Sequence, residues 1–236
     1  PPPEQIPDLV PEDEIITIPV VVHVVNYSPD PFEISDARIL SQLDVLNQDY
    51  RKKNVDWIKT PPEFKHVVAD VGIEFVMARV DPEGNPTNGI IRTTSNVTGF
   101  DGLSIEQSAP VESMALYFTS KGGQDAWPND QYLNIWIADL SDRQGNLSLA
   151  GYANPPGSDP RMDGIVIDPR AFGTSLSSES AYSLGRSATH EIGHWLNLRH
   201  IYGKDGSCED GEDGDLVDDT PVQQSQTLGS PVHPIF

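Results

Sequence analysis

Residues 190–200, HEIGHWLNLRH, gather three histidines and a glutamate in a short stretch whose spacing suits metal chemistry. On a helix, His190 and His194 stand one turn apart on the same face, where two imidazoles can share one metal ion. Neutral imidazole nitrogen is a good ligand for zinc, and a catalytic zinc takes three protein ligands and keeps one position for water. Glu191, beside the first histidine, is placed to take the proton of that water. His200 cannot reach the same ion if the helix continues past His194, so the chain must turn between them. Asn197 stands where the turn is required, and asparagine tolerates left-handed backbone better than any residue except glycine. Two alternatives stay open: a third ligand from a downstream acid such as Glu209, and an inactive metal-binding or adhesion module.

The elements that must hold this site can be read from periodicity. From about Ser183, the residues Leu184, Ala188, Ile192 and Trp195 fall on one helical stripe that should face a core, away from the two histidines. Residues 15–25 (IITIPVVVHVV) are β-branched and almost wholly apolar, as suits a strand covered on both faces. His23 inside it is expected to be a packed core residue rather than a ligand. Ser35 should cap a helix carrying Ile39, Leu40, Leu43, Leu46 and Tyr50. Further strands are expected at residues 73–80, 89–93, 132–138 and 164–168. The stretch 151–160 (GYANPPGSDP) is too rich in proline for a central strand, although its beginning could form a sheet edge and pair with a peptide. Strands mixed with few, long helices indicate a layered α/β or α+β domain.

Composition narrows the partners. Acidic residues outnumber basic ones by 36 to 15, a formal charge of −21, which opposes nucleic acid and anionic membranes. No stretch approaches the roughly 20 apolar residues of a membrane span. The opening residues, PPPEQIPDLVPEDE, are expected to form an extended tether, with any export signal already removed or lying outside this sequence. Cys208 is the only cysteine, so no disulfide can form within the chain. Asn26, Asn96 and Asn146 begin N-x-S/T sequons. Between Glu209 and Asp219 a glycine-bent acidic run offers the oxygen ligands that calcium takes, without the EF-hand spacing.

HEIGHWLNLRH resembles the extended H-E-x-x-H-x-x-G-x-x-H signature of the metzincin zinc peptidases, with Asn197 in the glycine position. Its surroundings, SATHEIGHWLNLRHIYG followed by Cys208 and DGDLVDDTP, are similar to the pappalysin branch, as are PVVVHVV and SDARILSQLDVLNQDYRKKN near the start. The resemblance implies an α+β, zincin-like fold: a twisted mixed sheet with a backing helix and an active-site helix, then a small irregular C-terminal subdomain. In these terms residues 1–14 are the tether, 15–197 the upper catalytic subdomain and 198–236 the lower one. It also implies a secreted endopeptidase acting on peptide or protein substrates through a zinc-bound water, in some members with a preference for arginine after the cleaved bond. His190, His194 and His200 take the zinc-ligand positions and Glu191 that of the general base. Calcium is implied too, with Asp215, Asp218, Asp219 and Thr220 as the chosen ligands. Two departures stand out. Met77, Met114 and Met162 all precede the motif, so the chain is expected to stop short of the family's Met-turn and the tyrosine behind it. Ser230 stands where a cysteine partner for Cys208 would be expected.

Overall fold

The computed structural model describes residues 14–27, 34–97, 99–100, 111–142, 145–147, 149–174, 182–203, 214–217, 220 and 223. Its centre is a six-stranded sheet. Strand β1 (Ile16–Tyr27) runs through the middle and is hydrogen bonded on one edge to β2 (Ile73–Met77) and then to β3 (Ile90–Ser95). Its other edge pairs with β4 (Leu133–Ala138), followed outward by β6 (Gly164–Ile167) and β5 (Gly151–Asn154). All pairings are parallel except the last, β5 against β6. The domain is therefore α+β with a mixed sheet, and the outermost strand is the antiparallel one.

Residue alternation explains how one strand serves two layers. Val20, Val22 and Val24 point to the face shared by Ile135 and Ile165, whereas Val25, Trp136 and Val166 build a second core on the opposite face. The fully buried Val and Ile side chains each contribute roughly 1.5–3 kcal/mol of apolar burial. Pro19 fits inside β1 because even-numbered residues send their amides toward β2 and β3, as with Ile16 N to Gly72 O and Val22 N to Gly89 O. Its missing donor faces the other side, one residue before pairing to β4 begins at Val20.

His23 is a core residue, as its sequence context suggested. It is fully buried against Trp136, its Nε2 lies 2.9 Å from Asn134 Oδ1, and burial lowers its pKa to about 4, so the ring is neutral. It occupies the sheet face away from the histidine cluster.

Two helices cover the first face. Helix α1 (Asp36–Tyr50) starts where expected: Ser35 Oγ accepts the Arg38 amide at 3.3 Å, and Ile39, Leu43, Leu46 and Tyr50 are buried. Helix α2 (Arg186–Trp195) begins later than the periodicity suggested. Gly185 in left-handed conformation breaks the chain before it, so Leu184 lies outside the helix and is 63% exposed, and only Ala188, Ile192 and Trp195 form the inward stripe. Buried Gln42 of α1 explains this boundary, since its Nε2 donates to Gly185 O and its Oε1 accepts from Gly173 N. No helix among the described residues is long and apolar enough to cross a membrane.

Candidate active site

Helix α2 sits over β5 and β6 and is tied to the end of α1, so both histidines on it inherit the rigidity of the sheet. Tyr50 Oη donates to Thr189 O at 3.1 Å, and Thr189 Oγ1 donates to Asp49 Oδ2 at 2.7 Å. Arg186 reaches the same carboxylate at 3.2 Å and Asp56 at 2.9 Å. These contacts fix the residues immediately before His190. The half-exposed Arg186 pairs contribute little energy, whereas the bonds to Thr189 set the rotation of the helix about its axis.

The helix then ends abruptly. Asn197 adopts φ +74°, the Asn197 amide donates to His194 O and the Leu198 amide donates to Gly193 O, both at 2.9 Å. This pair of bonds around a left-handed residue is the Schellman arrangement, and it reverses the chain so that His200 returns to the helix. The three Nε2 atoms converge: His190 to His194 at 3.0 Å, His194 to His200 at 3.1 Å and His190 to His200 at 3.2 Å. His194 Nδ1 donates to Leu198 O at 2.7 Å, which leaves its Nε2 with a lone pair aimed at the other two rings.

Three imidazole nitrogens this close cannot all be satisfied by one another, because each bridging proton serves one pair only. A single cation satisfies all three. Three nitrogens about 2.1 Å from one zinc at tetrahedral angles stand roughly 3.4 Å apart, close to the spacing found, and the fourth direction stays open. Burial, and then the positive charge of the neighbouring rings, lowers the pKa of His190 and of His200, which favours the neutral, ligating form.

Glu191 lies at the inner side of this cluster. It is 9% exposed, and among the described residues its carboxylate has no hydrogen-bond or ion-pair partner. Burial alone pushes its pKa up to about 7. Room for it comes from β5. A Cβ at Gly151 would meet Ile167 Cδ1 at 2.5 Å, Val166 O at 2.8 Å and Glu191 Cγ at 3.2 Å, so only glycine lets the strand pack this closely against the helix. Behind β5 the hydroxyls of Tyr117 and Tyr152 lie 3.0 Å apart and Asn154 Nδ2 donates to Tyr117 Oη, which stiffens the strand from its far side.

A cleft of about 610 Å³ runs between Gly151, Tyr152 and Ala153 of β5 and the helix, with Glu191, His190 and His200 along it. A second hollow of about 760 Å³ lies on the α1 side of the histidines, against Tyr50, Val71 and Tyr202. The sequence reading missed three features of this site: the Leu198 carbonyl behind His194, the space left by Gly151, and Tyr202 against His200. Only Tyr202 had a visible signal, an aromatic ring two residues after the third histidine.

Of the residues chosen for calcium, Asp218 and Asp219 lie outside the described residues, as do Cys208, Glu209 and Ser230. Asp215 is buried, and its Oδ1 accepts the Val217 amide at 3.0 Å. The Thr220 amide donates to Val217 O.

Comparison with known proteins follows the same geometry. Residues 118–234 match the model of peptidase family M43, described as pregnancy-associated plasma protein-A. Mature mirolysin of Tannerella forsythia, solved in complex with a cleaved peptide, is 42% identical, with a TM-score of 0.80 over 94% of this chain and 77% of that one. Mirolysin in complex with a compound designated 9 superposes with the same TM-score, 0.80, at 43% identity and the same coverage, 94% and 77%. An extracellular metalloprotease of Pyricularia oryzae is 31% identical over 224 residues, 92% of this chain, and one of Arthroderma gypseum is 27% identical over 219 residues, also 92%. The chain spans 60% and 58% of the length of those two fungal proteins.

Proposed function

From the premise that this chain belongs to peptidase family M43, the pappalysins, we propose that it is a secreted zinc-dependent endopeptidase. The observation that carries the reading is the convergence of His190, His194 and His200 beside a buried, unpartnered Glu191. A structural zinc site prefers a closed shell and has no use for a free carboxylate at its open side, which speaks against the inactive-module alternative. Secretion is supported by the fungal relatives, which are named extracellular metalloproteases.

The three histidine Nε2 atoms would hold the metal. Zinc, when bound there, supplies Lewis acidity that polarises the peptide carbonyl and makes a water more acidic. Glu191 is the proton carrier: its carboxylate takes a proton from the attacking water and delivers it to the leaving amine, and a pKa raised by burial suits both halves of that task. Strand β5 orients the substrate. It is the sheet's outer strand, bonded to β6 on one side only, so an extended peptide can pair along its free edge and bring its carbonyl to the histidines.

Three finer readings belong to the same proposal. A boundary at Asn197 divides an upper subdomain from a lower one, supported by the helix stop there. Calcium binds the acidic run through Asp215, Asp218, Asp219 and Thr220; the support is that Asp215 is buried with no cationic partner among the described residues. A preference for basic side chains after the cleaved bond is in keeping with the charge of −21.

The test is peptide cleavage by the parent and by Glu191→Ala, with metal content measured and calcium in excess. One zinc in both proteins with cleavage by the parent alone is the expected result. Zinc in both and cleavage by neither favours the inactive module.

A further inference from the structure

His200 is the one histidine of the cluster that no helix holds. His190 and His194 project from α2, and His194 is fixed further by its Nδ1 bond to Leu198 O. For the His200 ring the only hydrogen-bond-range contacts among the described residues are those of Nε2 to the other two rings. A ligating histidine ordinarily has its second nitrogen anchored, because an unanchored ring swings about χ1 and χ2 and carries its lone pair away from the ion.

Something else must hold this ring, and Tyr202 lies flat against it. The ring centroids are 4.8 Å apart and the planes are 12° from parallel, the one stacked pair in a cluster whose other contacts are tilted or edge-on. The backbone fixes Tyr202 there. Gly203 N donates to His200 O at 2.8 Å, closing a turn over residues 200–203 that folds Tyr202 back over His200. Gly203 has φ +61°, and a Cβ on it would sit 2.1 Å from Gly214 O, so the turn is seated against the backbone of the 214–217 segment.

We propose that Tyr202 is a positioning residue for the third metal ligand: its ring face sets the plane of His200 and thereby how long His200 stays on the metal. The inference rests on the zinc-peptidase reading above. It assigns the work to the flat ring and none to the hydroxyl, which has no hydrogen-bond partner among the described residues, so phenylalanine should serve as well as tyrosine.

The experiment is zinc transfer from the zinc-loaded protein to a chromogenic chelator, with the dissociation constant from competition, for the parent, Tyr202→Phe and Tyr202→Leu. The expected result is a Tyr202→Phe variant within about twofold of the parent and a Tyr202→Leu variant that binds zinc 10- to 100-fold more weakly, the range for losing an outer-shell partner, chiefly through faster release. In cobalt-substituted protein the visible ligand-field bands of Tyr202→Leu should shift, while those of Tyr202→Phe stay in place. A merely structural role for the ring would lower the melting temperature of the metal-free variants and leave the bands of the folded fraction unchanged. If Tyr202→Leu does not fold, Tyr202→Met, which keeps apolar bulk without a flat face, carries the same expectation. A parent that binds one zinc alongside a Tyr202→Leu variant releasing it at the parental rate overturns this inference alone. A parent that binds no zinc overturns the peptidase reading with it.

Discussion

Replacing Glu191 by glutamine should make the metal-free protein more stable, increasingly so as pH rises. The carboxyl keeps its proton up to about 7 in the folded protein and loses it near the ordinary 4.5 when unfolded. Between those values the unfolded state binds fewer protons, so the carboxyl's contribution is fully favourable below about 4.5 and is lost as pH climbs to 7. A difference of about 2.5 pKa units at 1.36 kcal/mol each comes to about 3 kcal/mol, charged against the folded parent above pH 8. Glutamine cannot ionise and escapes that charge. It carries its own cost as a buried amide, but that cost does not vary with pH. The quantity to follow is therefore the difference in unfolding free energy between Glu191→Gln and parent, by urea titration in chelator, from pH 4.5 to 8.5. It should grow by about 3 kcal/mol in favour of the variant, or roughly 6–12 °C in melting temperature for a domain of this size. Saturating zinc should narrow the gap, because a nearby divalent cation favours the ionised carboxylate. A difference that stays flat across this range would mean that the folded carboxyl titrates like an exposed one, and the proton-carrier argument built on its burial would fall.

Three further outcomes follow from the same geometry. His200→Ala should weaken zinc binding by more than the roughly 100-fold upper range of an outer-shell change, read by competition with a chelator; near-parental affinity would point to an acidic third ligand such as Glu209. At Asn197, whose φ is +74°, glycine should match or slightly exceed the parent in stability, whereas valine should cost about 1–2 kcal/mol in thermal unfolding and lower zinc affinity by displacing His200. Gly193→Ala should stabilise the protein by about 0.5–1 kcal/mol, since a helical Cβ there meets nothing closer than Leu198 Cδ1 at 3.7 Å and Tyr50 Oη at 4.0 Å; a loss of stability would show that the helix and the turn pack more tightly than that.

The histidine cluster was legible because its determinants are local. The spacing of His190 and His194 depends only on helical pitch, and Asn197 marked the turn by its tolerance of left-handed backbone, which the structure bears out. The five strands expected from apolar runs are present, with ends shifted by a few residues. What could not be read depended on contacts between distant segments. The start of α2 is set by Gln42, more than a hundred residues earlier, so Leu184 was placed in a helix that had not yet begun. The beginning of residues 151–160 was read as a possible sheet edge, and β5 is one; that its partner is β6, and that Gly151 matters because Glu191 lies against it, a run of glycine, alanine and proline does not announce.

The placement of β1 bears on how the protein is made. Its core partner β4 lies far along the chain, with His23 and the Asn134 it bonds separated by 111 residues. At roughly 5–20 residues per second, the ribosome leaves VVVHVV without that partner for on the order of ten seconds. An uncharged, β-branched segment without proline is the kind that pairs with copies of itself when left waiting. Once β4 arrives, the His23–Asn134 bond admits one register, since a slip of β4 by one residue would turn Asn134 into the apolar layer beneath α1 and leave His23 without its partner. Yield of folded protein should thus be governed by chain concentration and temperature during synthesis, before any metal is bound.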